Sequence, residues 1–543
     1  MKVKVAAMQF TPRHRQYEEN WKKIESLIES ASKEDVKLAV LPEMCTTGYI
    51  FEDRKDISEL VESIPGPTTN KLVELARKHD MYIVVGLAEK DEEDIYYNAS
   101  ALVGPEGYIG KYRKMNQFIA DSLWASDGDL PLEAFDTKIG KIGMAICFDM
   151  NIEETCAVLK RRGCQIICAP SNWFGESEIS TVWMTRAYEH KIPVVVSNRG
   201  GQERRTKFNA KGCIIDEKGM VLDFVANNEG MAIADIEVSE VQQLEKKDFY
   251  KELSRHTFVW NPTWYFKQTK NKLPKGEDIQ VAVIQLKSSD IGSFAQNKKL
   301  IKKWMVNELN TNTKLILFPE NILCGIDKSV TPEEVRILAD ELCPILSNYE
   351  AYVVVSGKIN EQGKTSNRVY LIGKNGIVGE YKRIFSTQHE FDEYGEEPVF
   401  LDTEYGRLGF LFGDELTRME PARVLALSSI DLLLVTEKDG REYNRFYDDD
   451  NTLLWSLAMD RGRQNNFYVM HANYVGGGSA GFSGIFGPNA FEKPDDRVYS
   501  ERLEGSIKMF VHLKETSRLF PSNRIKYKPL LHFRKPYFYR DIH

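Results

Sequence analysis

Apolar positions in the first half of the chain follow two periods. Short apolar runs such as 3–10 end at polar turns and predict strands, because neighbouring side chains of a strand point to opposite faces. Between residues 17 and 32 the apolar residues recur every third or fourth position, which predicts an amphipathic helix. Further strands are predicted at 37–41, 82–86, 98–103, 107–112, 142–146, 165–169 and 193–197, and further helices at 71–79, 153–162 and 181–191. Strands that alternate with helices in some places and follow each other in others indicate an α/β layered domain with a mixed sheet.

The pattern of the first half returns in the second half. The matching segments are 5–9 with 281–285, 37–43 with 314–320, 81–86 with 351–357, and 107–112 with 376–381. Because the order and spacing agree over several segments, chance matching of short strands explains them poorly. The lysine-rich polar stretch 268–278, interrupted by Pro274 and Gly276, is typical of an exposed connector. The sequence therefore predicts two α/β domains of one fold in tandem, at 1–272 and 278–543.

The composition fits a globular protein. With 543 residues, 42% hydrophobic and 28% charged, the chain is long enough for two large domains. The net charge of -8 gives no electrostatic reason to expect nucleic acid or an anionic membrane as partner. No apolar run approaches the roughly 18 residues of a spanning helix, and the first residues do not look like a signal peptide. The eight cysteines lack paired spacing, so we expect reduced thiols in a soluble, cytoplasmic protein.

Within 139–154 an apolar run leads up to Cys147, and a polar segment follows it. A strand that ends at this thiol would place it at the carboxyl edge of a sheet, where a sharp turn can expose a nucleophile. A buried, inert cysteine is the alternative that this stretch alone favours. Cys164 and Cys168 invite a metal interpretation, but no histidine nearby supplies further ligands, so strand packing is favoured there.

The repeat shows which polar residues the two halves share. Glu43 and Lys114 are expected at strand ends, as is Cys147, and Asp121 stands seven residues after Lys114. The matching residues of the second half are Glu320, Arg383, Glu390 and Gly413, which correspond in turn to Glu43, Lys114, Asp121 and Cys147. The second half has kept the carboxylates and a cation but has lost the thiol.

These residue types suit nucleophilic acyl transfer. A partly dry carboxylate such as Glu43 can act as the base that converts a thiol into its thiolate. Lys114 and the backbone N–H of Phe148 can stabilise the negative charge that develops on the attacked group. Asp121 can keep the lysine charged and oriented. Taken singly, each side chain could equally be a loop carboxylate, a solvated charge or a helix cap.

Three motifs together resemble the Glu-Lys-Cys signature of the nitrilase, or carbon-nitrogen hydrolase, superfamily. They are Leu41-Pro-Glu43, Tyr112-Arg-Lys114 and Gly143-Met-Ala-Ile-Cys147-Phe-Asp149, and further matches are 169–173, 186–189 and 198–199. The resemblance covers nearly all of residues 1–265, and the second half resembles the same fold without its cysteine. Asp121 falls where the family usually has a second glutamate, and its side chain is shorter by one methylene.

The resemblance implies a fold, a reaction and a set of partners. It implies tandem four-layer αββα sandwich domains packed as an internal pseudo-dimer, and it allows a further homo-oligomer. It implies hydrolysis of a non-peptide C–N bond through a thioester, with Glu43 as base, Lys114 as oxyanion stabiliser and Cys147 as nucleophile, and with no metal or organic cofactor. By family position Tyr49, Asn172 and Trp173 would line the substrate pocket, although plain core packing is an equal alternative for Trp173.

The substrate class stays open between several alternatives. The segment 148–154 looks more like that of amide-cleaving branches than the Cys-Trp-Glu of typical nitrilases, so a small amide is favoured over a small nitrile or an N-carbamoyl compound. Glutamine-fed amidotransfer is weaker, because no partner synthetase with a nucleotide-binding loop is present in the chain. The alternative from another class is a non-catalytic scaffold with an unreactive thiol.

Overall fold

The chain forms two compact units, the first made of Met1–Phe249 with Phe533–His543 and the second of Tyr250–His532. The boundaries predicted from the sequence do not anticipate that the last residues belong to the first unit. Residues 268–272 of the predicted connector 268–278 lie outside the described residues. The computed structural model describes residues 1–173, 179–209, 211–240, 273–325, 329–386, 390–438, 453–488, 497–500, 502–514, 531 and 533–539.

The first sheet of unit 1 has six strands in the order β14-β1-β2-β3-β4-β5. Its strands are β1 (Lys2–Gln9), β2 (Leu38–Val40), β3 (Tyr82–Lys90), β4 (Tyr96–Gly104), β5 (Gly107–Arg113) and β14 (Gly230–Glu237). The strands β1, β2 and β3 run parallel, and the remaining pairs are antiparallel. The parallel strands are buried almost throughout, as expected of strands covered on both faces.

The second sheet of unit 1 also has six strands, in the order β13-β12-β9-β8-β7-β6. They are β6 (Ala134–Thr137), β7 (Gly140–Met144), β8 (Ile166–Pro170), β9 (Val194–Ser197), β12 (Cys213–Ile215) and β13 (Val221–Phe224), and a separate hairpin joins β10 (Gln202–Glu203) to β11 (Thr206–Lys207). The three strands β7, β8 and β9 are parallel. Their carboxyl ends therefore meet at one edge, where Cys147 follows β7.

Helices cover the outer faces of the two sheets of unit 1. They are α1 (Tyr17–Lys33), α2 (Arg54–Ile57), α3 (Pro67–His79), α4 (Glu153–Arg161) and α5 (Thr181–His190), with 3₁₀ turns at Asp121–Leu123, Cys147–Asn151 and Pro536–Phe538. Helices α1 and α3 pack on the first sheet, and α4 and α5 pack together on the second. The sheets face each other, so the predicted αββα sandwich is confirmed. Among the described residues, no helix is both long and apolar enough to cross a membrane.

The predicted elements of the first half are present, and their ends differ by a few residues. Helix α3 begins at Pro67 rather than at 71, because proline fits the first helical position and the Gly66 N–H donates to Thr69 Oγ1 at 2.7 Å. Strand β3 continues four residues past the predicted end at Gly86. It can include the fully buried Glu89 because that carboxylate pairs with Arg113.

Unit 2 repeats this architecture with the same connectivity. Its first sheet contains β28-β15-β16-β17-β18-β19 in the order of β14-β1-β2-β3-β4-β5, and β24-β25 extend it beside β15; its second sheet runs β27-β26-β23-β22-β21-β20. The predicted tandem repeat is therefore confirmed.

The bounds of the strands of unit 2 are as follows. They are β15 (Ile279–Lys287), β16 (Thr313–Leu317), β17 (Tyr352–Glu361), β18 (Lys364–Gly373), β19 (Gly376–Lys382), β20 (Phe400–Asp402), β21 (Arg407–Phe412), β22 (Leu432–Thr436), β23 (Tyr468–Ala472), β24 (Tyr474–Gly476), β25 (Ser479–Ala480), β26 (Gly484–Phe486), β27 (Arg497–Tyr499) and β28 (Gly505–Val511). The described helices are α6 (Phe294–Leu309), α7 (Pro332–Tyr349), α8 (Met419–Leu427) and α9 (Leu453–Asn465), with 3₁₀ turns at Ser288–Asp290 and Gly413–Thr417.

Candidate active site

Cys147 stands at a sharp turn between strand β7 and helix α4. Its backbone φ is 47°, a left-handed conformation that costs a non-glycine residue free energy and is found at functional turns. The residue is buried, with 6% of its surface exposed. Burial and then the charge of Glu43 raise the pKa of the thiol well above its usual range, whereas Lys114 and the Asn172 backbone N–H lower it. The thiol is therefore neutral at neutral pH and needs a base to become a nucleophile.

Asp149 holds the turn that carries the thiol. Its Oδ2 accepts hydrogen bonds from the Ile146 N–H at 3.0 Å and the Tyr112 hydroxyl at 2.9 Å. Its Oδ1 accepts from the backbone and side-chain amides of Asn116, at 2.9 and 2.8 Å. The buried carboxylate thus connects the turn at Cys147 with the loop that follows β5. Sequence reasoning gave Asp149 no role.

Lys114, the first residue after strand β5, is fully buried between two carboxylates. Its Nζ lies 2.6 Å from Glu43 Oε1 and 2.6 Å from Asp121 Oδ2. Burial alone would lower the pKa of this lysine, but the charges of Asp121 and then Glu43 raise it well above its usual value. The side chain is therefore an ammonium with both anions within hydrogen-bond distance, as the sequence predicted for Asp121.

Glu43 approaches the lysine from the loop after strand β2. Burial and the charge of Asp121 raise the pKa of this carboxyl, and Lys114 opposes the rise. Among the described residues, its Oε2 is buried without a hydrogen-bond partner. The close passage of strand β3 requires Gly86, because a Cβ there would lie 2.5 Å from the Glu43 Cα. One carboxylate oxygen thus binds the ammonium and the other is available to accept a proton.

Asn98, on strand β4, connects the two carboxylates that hold the lysine. Its Nδ2 donates to Glu43 Oε1 at 2.7 Å and to Asp121 Oδ1 at 2.9 Å. Sequence reasoning missed this residue. The repeat carried a signal, because Asn98 and Asn367 each stand sixteen residues before the conserved cation of their half.

The shorter carboxylate of Asp121 reaches the lysine because a 3₁₀ turn begins at this residue. Its Oδ2 also accepts a hydrogen bond from the Phe118 N–H at 2.9 Å. The loss of one methylene relative to glutamate is therefore accommodated by the position of the backbone.

The residues predicted to line a pocket lie around this cluster in different ways. The Tyr49 ring is buried, and its centroid lies 5.9 Å from Lys114 Nζ. Asn172 donates from Nδ2 to the Glu43 carbonyl at 3.1 Å. The Trp173 ring packs edge-on against Trp183, with centroids 5.2 Å apart, as core aromatic residues do. Residues 174–178, which follow, lie outside the described part of the chain.

Glu203, which sequence reasoning missed, fixes the backbone of Tyr49. Its carboxylate accepts hydrogen bonds from the backbone N–H groups of Tyr49, at 2.9 Å, and Ile50, at 2.6 Å. Burial alone would raise the pKa of Glu203, but hydrogen bonds with His14 and Arg199 help lower it to about 2. No spacing in the sequence connects this hairpin residue with position 49.

The phenyl ring of Phe148 packs between two other rings. It lies edge-on to Phe118, at 5.5 Å between centroids, and to Phe533, at 5.1 Å. Phe533 belongs to the segment of the chain that returns to unit 1. No pattern in the sequence places this residue beside the Cys147 turn.

The matching place in unit 2 keeps part of this arrangement. Asn367 Nδ2 donates to Glu320 Oε1 at 2.7 Å, and Arg383 Nη2 lies 3.3 Å from Glu320 Oε2. Gly413 stands where unit 1 has the thiol. Among the described residues of both units, no group of three His, Cys, Asp or Glu side chains could hold a metal ion.

In unit 1 a neutral thiol, which follows a strand of the second sheet, lies near an available carboxylate oxygen and a fixed ammonium, which follow strands of the first sheet. Such a set can accept the thiol proton and stabilise an oxyanion, as acyl transfer requires.

Comparison with known proteins identifies a family whose model matches each half. The carbon-nitrogen hydrolase family model matches residues 4–246 and again 280–496. A nitrilase of Pyrococcus abyssi is 38% identical over 248 residues, which are 45% of this chain and 94% of that protein. Human omega-amidase NIT2 is 27% identical over 237 residues, which are 41% of this chain and 84% of that protein.

Among solved structures, Saccharomyces cerevisiae Nit3, a member of branch 10 of the nitrilase superfamily, is 25% identical over 45% of this chain and 96% of that chain, with a TM-score of 0.41. The family model covers most of both halves, and the relatives have the length of one half. The chain therefore belongs to the carbon-nitrogen hydrolase family and is a hydrolase that contains two tandem copies of the family's domain.

Proposed function

We propose that unit 1 hydrolyses a small amide through a thioester on Cys147. The observation that carries this proposal is the pair of 2.6 Å contacts that hold the Lys114 ammonium between Glu43 and Asp121. An ammonium fixed in this way needs no reorganisation when charge develops beside it, which is the main source of catalysis in acyl transfer.

In the first step the Glu43 Oε2 takes the thiol proton while the Cys147 sulfur attacks the amide carbon. A C–S bond forms, and the carbonyl oxygen becomes an oxyanion. Lys114 and the Phe148 N–H stabilise this charge, because the first N–H groups of a helical turn have no partner within the turn.

In the second step the C–N bond breaks and the acyl group stays on the sulfur. Protonated Glu43 gives its proton to the leaving nitrogen, which departs as ammonia or an amine. Water then attacks the thioester, with Glu43 again taking a proton, and the acid leaves as the thiol is restored. Asp121 acts throughout by keeping Lys114 charged.

The choice of an amide rests on two observations. The segment 148–154, Phe-Asp-Met-Asn-Ile-Glu-Glu, is similar to that of amide-cleaving branches of the family. The match to the human relative covers 84% of that protein, which is named an omega-amidase. A nitrile is the second candidate, because the Pyrococcus abyssi relative is named a nitrilase.

The test is a panel of small amides, nitriles and N-carbamoyl compounds, each assayed for ammonia release by the full chain. Amides and nitriles with the same acyl group should be compared in pairs. We expect kcat/KM to be higher for the amide of each pair. A consistent preference for the nitrile would replace the amide proposal with the nitrilase alternative.

Mass spectrometry of the enzyme quenched during turnover tests the thioester. We expect the added mass of the acyl group on the peptide that contains Cys147. The Cys156→Ala variant is the matched control, because this buried cysteine lies on α4 of the same unit. The Cys156→Ala variant should form the adduct on Cys147 and release ammonia at close to the wild-type rate. An adduct on a residue other than Cys147 would contradict the mechanism.

For unit 2 we propose a non-catalytic role. Gly413 offers no nucleophile, so the second copy contributes no turnover of its own. The predicted pseudo-dimer and any further oligomer stay predictions from the sequence.

A further inference from the structure

The end of the chain belongs to the catalytic unit although it follows the whole of unit 2. Unit 1 includes Phe533–His543, of which residues 533–539 are described. We call these described residues the C-terminal segment. None of them is among the residues that carry the proposed reaction, and nothing in the sequence pattern connects them with the first half.

A buried ion pair anchors the C-terminal segment. Arg534 Nε donates to Glu154 Oε1 at 2.5 Å, and both side chains are completely buried. A charge at such a site needs its partner, because an unpaired buried ion keeps the full cost of losing its hydration. Glu154 lies in the first turn of α4, directly after the turn that holds Cys147. The contact is therefore a strong attachment close to the nucleophile.

Further contacts fix the shape of the C-terminal segment. The Lys535 N–H donates to the hydroxyl of the buried Tyr539 at 2.9 Å, which closes the turn between them. Lys535 Nζ lies 2.5 Å from Asp127 Oδ2. These contacts hold Arg534, Lys535 and Tyr539, which follow Phe533, the first residue of the C-terminal segment.

Phe533 packs against the residue next to the nucleophile. The Phe533 and Phe148 rings meet edge-on, at 5.1 Å between centroids and 82° between planes. Phe148 also contacts Phe118, whose N–H donates to Asp121 Oδ2 at 2.9 Å. The three rings thus lie next to the Cys147 turn, and the backbone of Phe118 connects them with the carboxylate that holds Lys114.

We propose that Phe533 is a positioning residue for Cys147, and that the C-terminal segment completes the active site of unit 1. Cys147 has a left-handed backbone that its surroundings must hold, and the Phe533 ring supports the adjacent residue. In the sequence, unit 2 stands between Cys147 and the C-terminal segment that supports it. This inference rests on the proposed function of Cys147.

The test compares Phe533→Ala, Phe533→Leu and Tyr537→Ala in the full chain. Tyr537 is the matched control, since it is an aromatic residue of the same segment with 68% of its surface exposed. Two rates are measured for each variant: turnover of the best panel substrate, and carbamidomethylation of Cys147 by iodoacetamide at one pH. Thermal unfolding is recorded alongside.

For Phe533→Ala we expect kcat to fall about tenfold, with KM changed less than twofold, because small misplacement of a reacting group reduces rate more than binding. The iodoacetamide rate should fall with it. Phe533→Leu should restore most of both rates, and Tyr537→Ala should leave both unchanged. Wild-type kcat and alkylation rate in Phe533→Ala would overturn the proposal, as would a loss that Phe533→Leu does not restore.

Removal of residues 533–543 gives a second measurement. We expect the truncated chain to lose at least 90% of turnover, and a synthetic peptide of residues 533–543 to restore part of it. Full activity of the truncated chain would contradict the proposal.

The alkylation rate separates the two proposals. If no panel substrate is turned over but alkylation of Cys147 still depends on Phe533, the proposed reaction fails while the positioning role is supported. If turnover occurs and neither rate depends on Phe533, the reaction stands and the positioning role is rejected.

Discussion

The candidate active site of unit 1 and the matching place in unit 2 share several hydrogen bonds around their strand ends. Of the three residues Glu43, Lys114 and Cys147, only the glutamate is kept in unit 2. Asn98 and Asn367 each donate to the glutamate of their unit at the same distance, 2.7 Å. The tyrosines of the two units, at 112 and 381, each donate at 2.9 Å to an acid two residues after the nucleophile position. These shared contacts hold strand ends together, so packing accounts for them.

The differences concern the place of the sulfur. A Cβ on Gly413 would lie 1.3 Å from Glu437 Oε2, so the carboxylate of Glu437 occupies the space that the thiol side chain takes in unit 1. Arg383, which replaces the lysine, contacts Asp414 at 2.9 Å as well as Glu320. Lys438 Nζ binds Glu390 at 2.8 Å, so the residue matched to Asp121 no longer holds the central cation. The second site is therefore rebuilt around ion pairs and is more than a site with one residue missing.

The largest expected effect is that of the nucleophile itself. Cys147→Ala should lower turnover by about 10⁵-fold or more, because the proposed acyl intermediate forms on the sulfur that this change removes. The measurement is ammonia release with the best panel substrate, with thermal unfolding as the check on the fold. Gly413→Cys is the counterpart in unit 2 and should add no turnover to the Cys147→Ala background, since Glu437 fills that space. Turnover regained in the double variant would show that unit 2 can support the reaction once it has a thiol.

Matched substitutions of Glu43 and Glu320 test whether the glutamate takes part in catalysis in both units or in unit 1 alone. Glu43→Gln removes the base and should lower kcat about 10²- to 10⁴-fold. Glu320→Gln, the same change in an equally buried setting, should leave kcat within about twofold, because no reaction occurs beside it. Steady-state kinetics of the two variants decides this. A large decrease in kcat for Glu320→Gln with unchanged thermal stability would refute a silent second copy.

The pH dependence of activity sharpens the role of Glu43. Burial raises the pKa of this carboxyl above its usual 4.5, and only the ionised form can accept the thiol proton. The kcat/KM should therefore fall as pH decreases through an apparent pKa above 4.5, because Glu43 is then progressively protonated. A pH profile of kcat/KM measures it. Glu320→Gln should leave the profile unchanged, and an acid limb at or below 4.5 would contradict the buried base.

The smallest effect is structural and confined to unit 2. Gly413→Ala should destabilise this unit by about 1–3 kcal/mol, because the added methyl group collides with Glu437. Hydrogen exchange of β21 and β22 measures the local loss of protection. Glu437→Ala should relieve the collision, so the two changes together should cost less than their sum. If the free-energy costs of the two changes simply add, then Glu437 is not the reason why residue 413 must be glycine.

The prediction of the fold from the sequence succeeded where the signal was local. Strands such as β8 and helices such as α5 were predicted within one or two residues, because their apolar periods are set by backbone geometry. The tandem repeat was found because each half supplied the comparison for the other. Ends such as that of β3 were missed because buried ion pairs, invisible in a linear pattern, let a strand continue through charged residues.

The contact predicted between Lys114 and Asp121 is present, at 2.6 Å, whereas the catalytic roles of Glu43, Lys114 and Cys147 stay predictions. Asn98 could have been found from the repeat. Glu203 and Phe533 could not, because each acts on a residue more than a hundred positions away through contacts that only folding creates.

The sequence by itself determined the tandem α/β fold, the family and the loss of the second thiol, because these depend on residue types and their order. The tertiary structure alone decided which carboxylate oxygen is available at Glu43, what fills the space beside Gly413, and that Phe533 lies against Phe148. The physical reason is that hydrogen bonds, collisions and ring contacts depend on distances in space. Distances between remote strands are not encoded in any local period of the chain.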